Sequence, residues 1–599
     1  MEPVTPSAVR VFSAAGASLF VVGLAWTLPF LQPYHRYPIP AFYTEWAAFA
    51  LGLLAALLLS RNETWRGPAV PVVALAPLGL ILLLALQIGL GRVIYTEQAL
   101  TAALYAAWAA LMTVLGAILR RELGEAAIAA TLSWALIAGG LLSALAGLLQ
   151  HYHVSTPINF LVSAKTSDAV FGNLAQPNNF ADYVSLAVAS TAYLHARGRL
   201  HVIMAAAFAA VFLFVLTLTG SRSPWLYLGA LAALALFWLP RSGGEQSRRL
   251  CLFTLCLIPA FVAMQWIATL PFMLPRQGLL VTSADRLFDL ASGIGPRLQL
   301  AREAWTMFLG APLLGVGWGQ FAWNHFLLQA SDPVLVVPGV YSHAHNIVLQ
   351  LLAETGITGA LLVLGAVVLW LADLRKAERD PEWWWLLALL AVIGIHSMVE
   401  YPLWYSNFLG IAALVLGAGA HSFINLRRVR IARGAAAAAL VLGWLNVVMV
   451  VPAYRDFERL LFGSGEGAIA ADDGGAFVRR LMQVHRDPVL QPYLEVAVSL
   501  GIVVDEDDVR EKLQLNTRVM RLAPGHASAY RQAMLLALAG EREAALTQLS
   551  RSIRVHPDEL VRIVPVFEKL AQMHPGKFEP LLELAAPRNA ELRASGRVQ

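Results

Sequence analysis

Charge and cysteine are what this 599-residue chain has least of. Only 14% of its residues are Asp, Glu, Lys or Arg, where a soluble domain carries about 25%. A chain so poor in charge cannot cover itself with polar surface in water, so its solvent is the bilayer. The two cysteines, Cys251 and Cys256, lie five residues apart in one apolar run. That spacing suits neither a helical disulfide nor a metal pair, and both are expected to pack as small apolar groups. The chain has a pI of about 9.2 but neither a basic arm nor an RNA-binding signature, so nucleic acid is not an expected partner. No small-residue cleavage site follows the first apolar run, near 11–30, which is also too long for a signal-peptide core. It is expected to remain as a first membrane helix.

What the chain does have is apolar length: 58% of it is hydrophobic and the mean hydropathy is +0.61. A bilayer-crossing helix needs roughly 17 to 25 such residues. About thirteen runs qualify: 11–30, 42–60, 69–90, 98–119, 125–149, 177–196, 200–219, 223–239, 249–270, 347–373, 383–399, 403–425 and 432–452. The run after His345 is weakened by Glu354 and Gly356. The expected fold is all-α, a multi-pass membrane protein. Alternate connections hold the arginines, at Arg10, Arg61, Arg66, Arg120, Arg121, Arg197, Arg199, Arg241, Arg248 and Arg249. Further along the same side come Arg375, Lys376, Arg379, Arg427, Arg428, Arg430 and Arg433. The opposite connections are sparser. Because Lys and Arg collect on the cytoplasmic side, the N-terminus is expected inside, and an odd number of spans puts the C-terminus in the periplasm. The apolar runs show no intramembrane ion pairs and no inverted repeat, which argues against a transporter. An assembly scaffold, for its part, would not need the external His and Arg residues.

Two polar regions interrupt this plan. Residues 271–342 form a long external loop with amphipathic pieces such as Arg297–Phe308. A soluble region follows the membrane domain of residues 1–452 and occupies 453–599. There, Pro524 and Pro557 mark a spacing of about 33 residues with Ala-rich helical stretches between, a pattern like a tetratricopeptide repeat. A generic helical hairpin is the alternative.

Five polar groups sit at the external ends of apolar runs. Phe171 to Asn179 carries Asn173, Gln176, Asn178 and Asn179, with Pro177 suited to a helix's first turn. Capping accounts for one carboxamide, and the rest are free to bind glycan or phosphate oxygens. Thr219 to Trp225 holds Arg222, either an interfacial snorkelling residue or one facing a wet cavity. Arg297 opens an amphipathic stretch. Tyr341 to Gly356 contains His343, His345 and Asn346. If helical, His343, Asn346, Gln350 and Glu354 share one stripe, with His345 off its centre. An imidazole there is a natural proton acceptor. Two histidines are also conceivable metal ligands, but nothing completes a site and no metal is expected. The fifth group, His396 to Tyr405, offers Glu400 to orient a histidine, and Tyr401 and Tyr405 to stack on sugar rings; an aromatic belt is the bland reading. Together they supply two arginines for a diphosphate, a histidine base, and amides and aromatics for a glycan.

The Gln176-Pro177-Asn178-Asn179, Ser221-Arg222, Gly315-Val316-Gly317-Trp318-Gly319, His343-Ala344-His345-Asn346 and Glu400-Tyr401-Pro402 segments resemble the O-antigen ligase and polymerase superfamily. They are most similar to its bacterial O-linked protein glycosylation ligases, the O-oligosaccharyltransferases. The resemblance spans about 170 to 425. It implies a donor glycan on undecaprenyl diphosphate, with no metal or other cofactor, and His345 as the essential histidine, whereas the stripe favours His343. It also implies that Arg222 and Arg297 hold the diphosphate. The acceptor it implies is a protein, pilin-like, with lipid A-core (an O-antigen ligase) or a growing glycan (a polymerase) as alternatives.

Overall fold

An apolar segment in a bilayer can satisfy its backbone only within a helix or a closed barrel, and every one of the thirteen apolar runs holds a helix. The computed structural model describes residues 13–60, 69–242, 244–275, 279–288, 291–331, 339–377, 380–425, 429–462 and 487–595. In chain order come α1 (Ala14–Ala25), α2 (Phe42–Leu59), α3 (Leu75–Gly89), α4 (Thr96–Leu123), α5 (Glu125–His151) and α6 (Pro177–Ala196). Next are α7 (Val202–Leu218), α8 (Ser223–Ser242), α9 (Glu245–Ala268), α10 (Ser283–Phe288), α11 (Ala291–Gly310) and α12 (Phe321–Ser331). They are followed by α13 (Ile347–Asp373), α14 (Pro381–Ser397), α15 (Ser406–Ala418) and α16 (Val429–Phe462). The C-terminal helices are α17 (Gln491–Leu500), α18 (Val509–Leu522), α19 (His526–Leu538), α20 (Arg542–Val555), α21 (Leu560–Met573) and α22 (Glu579–Ala594). Arg10, Arg61, Arg66, Arg379, Arg427 and Arg428, which carry part of the orientation argument, lie outside the described residues.

Among the described residues, eight stretches are long and apolar enough to cross a bilayer by length and composition: Ala14–Leu31 (α1 with the helical turn after it), α2, Val72–Gly89 (a helical turn with α3), α4, α5, α9, α13 and α16. The protein is thus an all-α, multi-pass membrane protein. The expected span 403–425 shrinks to the short helix α15, because residues 423–425 instead pair antiparallel with 69–71 in a two-stranded ribbon. Cys251 is buried in the core, while Cys256 faces outward.

The chain folds into two compact units, one drawn from 1–80, 104–292 and 361–447, the other from 81–103, 293–360 and 448–599. The first is organised around α6, in which all but three residues are buried. A helix covered on every side belongs to a bundle core, and α6 can therefore carry polar groups. Ser185, Ser190 and Thr191 return their hydroxyls to carbonyls one turn back.

Antiparallel to α6 runs α14, and polar rungs join them along their length. Asn178 Nδ2 donates to Glu400 Oε1 (2.9 Å) at one end. Next, His396 Nδ1 meets Asp182 Oδ2 at 2.6 Å, both side chains fully buried. Trp385 Nε1 donates to Ser190 Oγ (3.1 Å). At the far end Tyr193 donates to Glu382 Oε1 (2.7 Å) while Arg197 grips both oxygens of Glu382. The expectation that the apolar runs hold no such pairs is corrected here. Asp182 was lost in an apolar run and His396 was read only with the turn that follows it, and only the packing of α6 on α14 brings them together.

In the second unit, α13 is two helices merged across Gly356, whose φ of +65° and ψ of −166° are non-helical. The break admits the 312–317 segment. Val316 and Gly317 N–H donate to the carbonyls of Ala353 and Glu354 (2.9 and 3.2 Å), and Gln87 Nε2 reaches Leu314 and Glu354 carbonyls (2.7 and 2.8 Å). Gly315 sits at φ +68°, where a Cβ would lie 2.2 Å from the carbonyl carbon of Glu354. Both the left-handed backbone and the close approach demand glycine. Gly315→Ala is accordingly expected to destabilise the protein by about 3 kcal/mol or more. Gly365→Ala, where nothing lies within 4 Å of the added carbon, should cost nothing. Thermal melts of the detergent-solubilised variants compare the two.

The same unit packs the loop helix α12 against the C-terminal helices. Phe326 is buried with Met520, Ala529 and Val555, and Arg521 lies over the Trp323 ring at 4.6 Å. The two prolines of the repeat-like spacing are laced together: Tyr530 donates to the His556 carbonyl (2.9 Å) and His556 Nε2 to that of Pro524 (3.1 Å).

Candidate active site

Pro177 opens α6, and Gln176 caps it, its Oε1 accepting the Asn179 N–H. Asn173 is equally committed to structure: Nδ2 donates to Leu31 and Leu161 carbonyls (2.8 and 2.7 Å) and Oδ1 accepts from Ser163 N–H (3.0 Å). Asn178 is placed differently. Its Oδ1 accepts from Ser221 Oγ (2.7 Å) while its Nδ2 donates to Glu400. A hydroxyl on one side and a carboxylate on the other leave the amide a single sensible orientation. Ser221 is held in turn by Thr219 Oγ1, which accepts its N–H (3.1 Å). Three motifs far apart in sequence, at 176–179, 219–223 and 400–405, therefore meet at one end of the α6–α14 pair.

Beside Ser221, Arg222 is half-buried, and its Nε donates to the Arg286 carbonyl. That bond fixes the plane of the guanidinium, the property that suits it to phosphate oxygens. Glu400 is buried. Tyr401 and Tyr405 stack with ring centroids 6.2 Å apart and planes 24° apart. Burial pushes both phenols upward, the Tyr401 ring with a further push from Glu400. Both therefore stay protonated as hydrogen-bond donors.

In the second unit, the 341–346 turn carries the histidines. The helical stripe predicted through His343, Asn346, Gln350 and Glu354 is corrected, because α13 begins only at Ile347. Asn346 precedes it, its Oδ1 accepting the Leu349 N–H (3.1 Å) as a cap. The turn is held from below, where Gln350 Oε1 accepts the Ala344 N–H (2.7 Å). His345 adopts φ +50°. A non-glycine residue so placed is costly and persists only where the surroundings enforce it, as functional sites often do. Ser342 Oγ lies 2.9 Å from His343 Nδ1.

Beneath the turn is a cluster the sequence reading missed. His325 Nδ1 bonds Glu303, which accepts Gln299 Nε2 (2.7 Å) on its other oxygen, and the Gln329 amide meets His325 Nε2 at 3.0 Å. Tyr341 makes T-shaped ring contacts with both His325 and His345, at centroid distances of 5.8 and 5.9 Å. Glu303 and Gln299 repeat at helical spacing in α11, a pattern indistinguishable from a solvated face until α12 covers it. Arg297, on α11, is exposed.

Of the candidate residues, the first unit thus holds Gln176, Asn178, Asn179, Arg222, Glu400, Tyr401 and Tyr405, and the second Arg297, His343, His345 and Asn346. Among the described residues, no three His, Cys, Asp or Glu side chains gather as metal ligands.

Residues 206–364 match the O-antigen ligase family, and residues 384–568 match the C-terminal family of virulence factor membrane-bound polymerases. Over 66% of this chain and 68% of the relative, the sequence is 26% identical to the general O-oligosaccharyltransferase of Acinetobacter baylyi. Over 42% of this chain and 44% of the relative, it is 21% identical to the ComP-specific O-oligosaccharyltransferase of the same organism. The first family match contains Arg222, Arg297, His343 and His345, and the second Glu400, Tyr401 and Tyr405. With those residues inside the matched segments, this multi-pass membrane protein is similar to the O-antigen ligase and polymerase superfamily and, within it, to the O-oligosaccharyltransferases.

Proposed function

We propose that this enzyme transfers a glycan from undecaprenyl diphosphate to a serine or threonine hydroxyl of a pilin-like acceptor protein in the periplasm. The observation that carries the reading is the bonding of Ser221 to Asn178 and of Asn178 to Glu400. It gathers at one helix end an arginine for phosphate, a carboxylate, and the amides and stacked tyrosines that suit sugar. The names of the two A. baylyi relatives support the choice of a protein acceptor. On this reading the acceptor oxygen forms a bond to the anomeric carbon as the bond from that carbon to the diphosphate oxygen breaks, with inversion. A histidine, His345 or His343, takes the hydroxyl proton, and Arg222 and Arg297 stabilise the charge that grows on the departing diphosphate, where fixed cations act most strongly.

The arginine asymmetry of the connections supports a cytoplasmic N-terminus in the inner membrane, with the site and the C-terminal helices in the periplasm. The Pro524–Pro557 unit serves as a tetratricopeptide-like surface for the polypeptide acceptor. Purified enzyme, undecaprenyl-diphosphate-linked glycan and a pilin substrate, with mass spectrometry of the acceptor, test the proposal. Glycosylated pilin is the expected product, with undiminished yield in excess EDTA. Modification only of lipid A-core or of free glycan would overturn the protein acceptor. Loss in EDTA that one divalent ion restores would overturn the metal-independent mechanism.

A further inference from the structure

The first unit contains a cavity of about 240 Å³ that no step of the proposed mechanism uses. It opens beside the proposed site, since Gln176, Asn179 and Tyr405 form part of its wall. The start of α2 and the start of α15 also line it, contributing Thr44 and Asn407. Both of these are more than nine-tenths buried. Thr44 Oγ1 and Asn407 Oδ1 have no hydrogen-bond partner among the described residues. A buried oxygen left so is costly unless something polar reaches it.

Three features narrow what that is. The lining contains no Asp, Glu, Lys or Arg, and the one histidine, His35, has its ring nitrogens turned to the carbonyls of Asn173 and Pro40 (2.6 and 3.1 Å). The wall thus carries no carboxylate, ammonium or guanidinium, and its one imidazole is already turned to backbone carbonyls, so no cation there is free to clamp a phosphate or a carboxylate. Phe30, Tyr405 and Phe408 give it aromatic walls, while hydroxyl and carboxamide groups sit among them. Ring faces with interspersed amides match a molecule of apolar C–H faces and hydroxyl edges. The volume falls below the roughly 300–1,000 Å³ of drug-sized sites, so it holds about one ring and not a chain of them.

We infer that this cavity is the subsite for one uncharged monosaccharide of the donor glycan, with Asn407 and Thr44 as residues that determine which sugar is accepted. The Asn407 carboxamide oxygen accepts a sugar O–H or N–H, and the Thr44 hydroxyl pairs with a second. This assignment rests on the proposed glycan transfer and adds the selectivity of the donor side.

The test uses the full-length purified protein and two lipids, undecaprenyl diphosphate alone and undecaprenyl diphosphate bearing one N-acetylhexosamine. Wild-type protein is expected to bind the sugar-bearing lipid more tightly than the bare one. Asn407→Leu and Thr44→Val keep side-chain volume and remove the polar groups. Each is expected to lose about threefold to tenfold in affinity for the sugar-bearing lipid, the scale of one hydrogen bond, and nothing for the bare lipid. In transfer assays the donor KM should rise by the same factor with kcat nearly unchanged, the mark of lost ground-state binding. Equal losses on both lipids would mean damaged packing and would overturn the subsite, as would unchanged affinities in both variants. If wild-type protein discriminates between the lipids yet modifies no protein, the subsite stands and the proposed acceptor fails. If it glycosylates pilin but both variants keep wild-type KM, the reverse holds.

Discussion

In His345→Ala, glycan transfer is expected to fall by roughly two to four orders of magnitude, the range for loss of a general base, while the lipid-linked glycan still binds. The arginine and carboxamide groups that would hold the donor are untouched by the change. The left-handed backbone at His345 makes a second variant necessary, because alanine tolerates that conformation poorly. Asparagine tolerates it better, so His345→Asn removes the base while keeping the turn. Equal losses in the two variants assign the effect to the imidazole; rescue by asparagine would assign it to the backbone. His343→Ala should cost less, its ring being engaged with Ser342. The opposite ranking would make His343 the base. Near-normal transfer in the double variant would exclude a histidine base and leave Glu400 as the group to examine.

Arg222→Ala is expected to lower kcat by about 10²–10³, comparable to removing one fixed donor from a site of developing negative charge. Arg222→Lys should recover part of this. It keeps the charge but loses the planar fork, which the Arg286 carbonyl holds in place. Arg297→Ala should behave similarly if the second cation shares the diphosphate. Turnover assays at saturating donor, with membrane insertion checked for each variant, settle the matter. Wild-type turnover in Arg222→Ala would remove that residue from the leaving-group role.

The helices were legible because lipid-solvated runs advertise themselves by length, and Gly356 announced its break in α13. What breaks there was not legible. The 312–317 segment that fills the gap lies some forty residues upstream, and no local pattern links it to Glu354. The motif glycines were visible as a motif, but the reason for Gly315 is a backbone contact that appears only in three dimensions. In the candidate site, the groups at 176–179, 221–222 and 400–405 were each visible as polar residues out of place at the end of an apolar run. Their assignment among capping, clamping and bridging was not. Gln176 caps α6 and Asn173 bonds three backbone groups, whereas Asn178 joins three segments. The stripe argument for His343 failed at one assumption, that the helix began before the histidines; the Asn346 cap sets its start later. Asp182 had a signal that went unused, since ionisable residues inside apolar runs rarely lack a partner.

The rungs between α6 and α14 act as a ruler with stops at both ends. Asn178 and Glu382 lie on opposite ends of a pair whose helical rise spans roughly 28 Å. A slide of one residue along the shared axis would break the Asn178, Asp182, Ser190 and Arg197 contacts together. The gap between Asn178 and Glu400 is thus set partly by a salt bridge at the far end of the bundle. New donor or acceptor ranges in this scaffold therefore arise by exchanging what hangs from the ends of the pair, the turns and the cavity wall, since the spacing itself cannot be adjusted in small steps.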